Sequence, residues 1–231
     1  MQRSNITLGA THVIGALGQV QQLRQAFMDK QLFAGFSGPV RAISGSVALV
    51  AALIMMHPAY PYTIKAHLLG WGAVFLVASV LNIGAIAYWY LNDPLVKGDI
   101  KRLKPTLDVL PPLFVGAVLT FAFIINKEVS YLFGVWMCMF GLTNLASRYV
   151  LPPGISYVGM FYVVAGVICI LAPFINFLNP LSMGIVFFTG EWISGIILHV
   201  DRRRYAEVCN YLKSFEGERE ERENSYATSS F

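Results

Sequence analysis

Pro180-Leu-Ser-Met-Gly-Ile-Val-Phe-Phe-Thr-Gly-Glu-Trp-Ile-Ser-Gly-Ile-Ile-Leu-His199 is the stretch whose reading decides the fold. It has the ~20 residues that an α-helix needs to cross a ~30 Å hydrocarbon core. One acid, Glu191, stands near its middle. An ionisable side chain at such a depth costs about 2.5–3.5 kcal/mol on insertion scales, so it marks a candidate functional residue. The chain therefore reads as an all-α, multi-pass integral membrane protein.

The composition agrees. Of 231 residues, 56% are hydrophobic and 13% charged, whereas a soluble domain keeps about 25% charged residues. Lipid must replace water around most of this chain. Cys138, Cys169 and Cys209 are odd in number and scattered, so neither a disulfide framework nor a metal motif is expected. The sequence pI near 9.0 follows from the Lys/Arg bias of membrane-protein loops and does not call for nucleic acid as a partner. Met1-Gln-Arg-Ser-Asn-Ile-Thr7 leads into a Gln-rich stretch without the apolar run of a cleavable signal peptide.

Working outward from the last span, five further apolar segments lie near 40–57, 66–91, 107–126, 129–150 and 155–175, and the last covers 180–200. Six spans divide the chain into an N-terminal segment 1–38, a transmembrane domain 39–200 and a tail 201–231. Of the 17 Lys and Arg, all but Lys65 and Lys127 fall on one side of this arrangement. The positive-inside rule then puts both termini in the cytoplasm, and a bacterial inner membrane is the expected location. In this count Arg41 is one of the basic residues that precede the first span.

Residues 10–36 form an amphipathic pattern, with Val13, Leu17, Val20, Leu23 and Phe27 at three- and four-residue steps. That helix is too polar to span and is expected along the membrane surface, where Leu17, Val20 and Leu23 would dock a partner or lipid. After the last span, Arg202, Arg203 and Arg204 form a juxtamembrane cluster that would contact anionic headgroups. Glu216 to Glu223 has nothing apolar to bury and reads as a solvated helix end or a disordered tail.

The spans read as three in–out–in hairpins. Proline announces each ascending helix, at Pro39, Pro111-Pro112 and Pro152-Pro153, and a glycine follows one or two turns later, at Gly45, Gly116 and Gly159. Pro58 and the Pro173/Pro180 pair mark two outer turns, while Asn126-Lys-Glu128 replaces proline in the middle one. The descending helices begin Leu-Leu-Gly-Trp-Gly72, Tyr-Leu-Phe-Gly134 and Leu-Ser-Met-Gly184. In this respect, and most clearly over Val158-Gly-Met-Phe-Tyr-Val-Val-Ala-Gly166 and Leu181-Ser-Met-Gly184, the chain resembles the HdeD-type bacterial membrane proteins. That resemblance implies a six-span, triple-hairpin fold and an association with acid stress. It implies no site residues. The amphipathic N-terminus, the basic loop at 92–106 and the charged tail depart from the pattern.

Counting from Gly72, Gly134 and Gly184, Asn82, Asn144 and Ser194 each follow ten residues later. Together with Glu191 they would make a polar cluster at the bundle centre. No Lys or Arg stands at Glu191's apparent depth, so the carboxyl is expected to be neutral and to donate its O–H. Asn82, Asn144, Thr143, Ser194 and Tyr162 are its candidate acceptors. His67 or His199 could ligate a haem or chlorophyll, although the four histidines lack ligand spacing; no particular cofactor is implied. Trp71, Trp89, Tyr60, Tyr62, Tyr88, Tyr90 and Tyr149 read as interfacial belts. With no nucleophile–base motif and no phosphate-binding glycine pattern, an enzyme is not expected. The expected function is a non-enzymatic scaffold or accessory subunit that docks other membrane proteins. The alternative is a proton-linked carrier or channel that uses Glu191.

Overall fold

The computed structural model describes residues 35–92, 107, 109–149, 151–172 and 177–228. The segment that holds Leu17, Val20 and Leu23, and most of the basic loop at 92–106, lie outside the described residues. Among the described residues six α-helices run in order: α1 (Gly38–Met56), α2 (Ile64–Asn92), α3 (Leu110–Ile125), α4 (Leu132–Ala146), α5 (Gly154–Leu171) and α6 (Leu181–Thr228). Short 3₁₀ turns flank α4 at Val129–Tyr131 and Ser147–Tyr149, and there is no strand among the described residues. Five helical stretches are long and apolar enough to cross a bilayer, so this is a helical membrane protein. The exception is α3. Its 16 residues rise only about 24 Å, short of the 107–126 span expected from sequence.

Proline starts the helices where the sequence placed it. Pro stands in the first turn of α1 and of α3, and Pro153 is the N-cap residue of α5, positions where a missing N–H leaves no bond unmade. The turn after α3 has its own stop. Lys127 takes φ 62°, its N–H reaches the Ile124 carbonyl, and the Glu128 N–H reaches that of Phe123. These are the paired bonds of a Schellman motif, which closes α3 without proline. At the other end, α6 continues through the acidic stretch to Thr228, so that segment is a helix end.

Packing is concentrated in two seams, α1 against α6 and α4 against α5. Both are antiparallel, and both depend on glycines seven residues apart. A Cβ on Gly141 would stand 2.7 Å from the Gly159 carbonyl oxygen, and one on Gly134 would stand 2.6 Å from that of Gly166. In the first seam Gly38 and Gly195 face each other's carbonyls in the same way, and Gly45 lies against Phe188 and Glu191. Backbones this close leave no room for a side chain, and dispersion contacts replace the hydrophobic drive that lipid removes. Each seam joins helices of different expected hairpins. Helices of the same expected hairpin also touch, but less extensively.

The main apolar core lies where α1 ends and α6 begins, around Ala52, Met55, Phe133, Met137 and Met183. Trp71 belongs to it, buried and edge-on to Phe133 at 5.8 Å. This corrects the expectation of an interfacial Trp71: its place on α2 turns the ring toward α4. A smaller cluster of Leu151, Ile155 and Leu198, with Phe36 against it, closes the opposite end. By contrast α2 buries only His67, Trp71 and Ile86, and α3 only Gly116.

Candidate functional site

Glu191 is paired. Arg41 reaches it side-on, with Nε donating to Oε2 at 2.9 Å and Nη2 to Oε1 at 2.7 Å. Both residues are about 5% exposed. This overturns the expectation of a neutral carboxyl without a cation, and Arg41, counted among the basic residues that precede the first span, lies inside α1. The reason is register. Gly38, the first residue of α1, sits opposite Gly195, only four residues beyond Glu191. That puts the carboxylate about 6 Å along α1 from its start. Arg41, one turn into α1, meets it there.

Two other helices complete the site. Asn144 on α4 accepts from Arg41 Nη2 at 2.9 Å, while its own Nδ2 donates to the Phe140 carbonyl at 3.0 Å. The Tyr162 hydroxyl on α5 donates to Glu191 Oε1 at 3.1 Å. The Phe140 ring lies 6.0 Å beneath the guanidinium. A Cβ on Gly190 would overlap the Tyr162 ring, so that glycine makes room for the phenol. Four helices thus converge on one ion pair.

Charge-assisted, bidentate bonds of this kind are about twice as strong as neutral ones. Their net worth is small, because both ions give up water. Removing one partner, however, costs about 3–5 kcal/mol, since the other charge is left buried alone. Chemically, the arrangement ties α1 to α6 and fixes their register.

The other expected site residues separate. Asn82 does not reach Glu191; it donates to Ser44 Oγ at 3.2 Å and to the Ala78 carbonyl at 2.8 Å. Ser194 is fully buried and its hydroxyl has no hydrogen-bond partner. Thr143 bonds back to the Met139 carbonyl at 2.9 Å. The threefold polar cluster therefore resolves into one ion-pair site, with Asn144 and Tyr162 as its members, and two satellites. Arg202 donates to the Phe36 carbonyl at 3.0 Å, and Arg203 and Arg204 are exposed. His67 is fully buried, with Nδ1 3.0 Å from the Thr63 carbonyl, which fixes the Nδ1–H tautomer. Its ring makes T-shaped contacts with Tyr60 and Tyr62, and its Nε2 has no hydrogen-bond partner. Among the described residues no three His, Cys, Asp or Glu side chains gather as a metal site would need.

Arg41 is the residue that sequence reasoning missed, and a signal for it existed. Gly38, Arg41, Gly45, Ala48 and Ala52 recur at alternating steps of three and four, and all are buried. An arginine inside a stripe of small residues points into a packed face. On α6, Gly184, Glu191 and Ser194 share the corresponding stripe.

Fold and site together define a helical membrane protein whose first and last spans are joined by a buried ion pair. No protein-family model, no curated protein and no solved structure matches the chain.

Proposed function

We propose that the protein is a non-enzymatic membrane scaffold or accessory subunit, with six spans as three in–out–in hairpins and both termini in the cytoplasm of a bacterial inner membrane. The observation that carries this reading is the Arg41–Glu191 pair, held at 2.7 and 2.9 Å and enclosed by Asn144 and Tyr162. A carrier that loads and releases protons needs a carboxyl that changes state. A carboxylate locked to a guanidinium and a phenol is suited to holding helices in place. The hydrophobic stripe at Leu17, Val20 and Leu23 would dock the partner, and the resemblance to HdeD-type proteins belongs to the same reading.

Proton flux in proteoliposomes, measured beside recovery of partners from native membrane, tests it. The expected result is no flux in the wild type, and loss of partners when Leu17, Val20 and Leu23 are replaced by serine with the bundle still folded. Wild-type flux that disappears in Glu191→Gln would replace the scaffold reading with a proton-linked carrier.

A further inference from the structure

A groove of about 710 Å³ opens between the start of α1 and the last turns of α2. Val40, Leu81, Gly84, Ala85 and Trp89 give it an apolar wall, and Tyr88 and Arg202 also line it. Leu81, Gly84/Ala85, Tyr88 and Asn92 follow at three- and four-residue steps, so one face of α2 lines its whole length. From Leu81 to Asn92 the helix rises about 16 Å. Half of a ~30 Å hydrocarbon core is about 15 Å. The groove is as deep as one leaflet.

The polar end is equally particular. Arg202 Nη2 donates to the Phe36 carbonyl at 3.0 Å, and Phe36 packs on Leu151, Ile155 and Leu198. That bond anchors the Arg202 guanidinium beside the groove, although Arg202 is exposed like Arg203 and Arg204 that follow it. Tyr88 is 72% exposed, and a tyrosine suits the headgroup level of a bilayer. Gly84 has no atom within 4 Å of the place a Cβ would occupy, which leaves the wall open along its middle.

The geometry points to a binding site for one phospholipid with an anionic headgroup, its acyl chain lying along Gly84 and its phosphate meeting Arg202. A planar, permanently charged guanidinium is suited to a phosphate ester, and the apolar wall excludes a free anion as the occupant. The site stands independently of the scaffold reading.

Native mass spectrometry of the full chain in detergent, titrated with phosphatidylglycerol and with phosphatidylcholine, tests it. Gly84→Leu should fold, because its side chain enters empty space, and should lose the tightest phosphatidylglycerol adduct. Gly72→Leu is the control: Gly72 is equally open on the same helix but outside the groove, so binding should not change. Arg202→Gln should abolish the preference for phosphatidylglycerol, a loss of about tenfold or more for a charge-assisted bond to phosphate. Inorganic phosphate at millimolar concentration should not displace the lipid. Equal adducts in the wild type and in folded Gly84→Leu, an undiminished preference in Arg202→Gln, or displacement by phosphate alone would each overturn the assignment.

Discussion

Two glycines at related places in the chain have opposite surroundings. A Cβ on Gly134 would collide with the Gly166 carbonyl and with Ile170, whereas one on Gly72 would meet nothing within 4 Å. Sequence gives them the same role, since each opens a descending helix two or three turns before its polar residue. The structure seats α5 on the first and leaves the second facing outward. Glycine in a membrane helix is thus a seat only where another backbone arrives. The half of the bundle made by α1, α4, α5 and α6 is closed by such seats and by the ion pair. The half made by α2 and α3 lies against it with little burial of its own.

The largest effect expected from this contrast is at the ion pair. Arg41→Leu leaves the Glu191 carboxylate buried without its cation and should cost about 3–5 kcal/mol, read as a large fall in melting temperature in detergent. Next comes Gly141→Leu, which forces a side chain against the Gly159 carbonyl. Overpacking against backbone should cost about 1–3 kcal/mol, again read by thermal unfolding. Tyr162→Phe removes one donor to Glu191 and keeps the ring, so a loss of about 0.6 kcal/mol is expected. Smallest of all, Gly72→Leu should stay within about 0.5 kcal/mol of the wild type. If Gly72→Leu proved as damaging as Gly141→Leu, the two halves would not differ as described.

Much of the fold was legible because it rests on local chemistry. Proline at helix starts and apolar runs of span length are set by nearest neighbours and by the bilayer, and both appear in the helices observed. What was not legible depends on register between helices 150 positions apart. Glu191 was read as lacking a cation because α6 was measured by its own apolar length, whereas its neighbours are set by where α1 begins. Arg41 was counted with the basic residues that precede the first span, although its stripe of small neighbours places it on a packed face. The ten-residue spacing brought Asn144 to the site but not Asn82 or Ser194. Equal spacing along a helix does not fix which helix stands opposite.

The central claim is that Arg41 and Glu191 are a charged pair that ties the first span to the last. A double-mutant cycle in thermal stability addresses it directly, with Arg41→Leu, Glu191→Leu and the two together. If the pair is ionised and mutually compensated, each single change strands a charge and costs about 3–5 kcal/mol, while the double change recovers most of that loss. The contradicting result is additivity: if Glu191→Leu costs only the ~1–2 kcal/mol of one intramembrane hydrogen bond and the double form is the least stable of the three, the two side chains do not act as a pair.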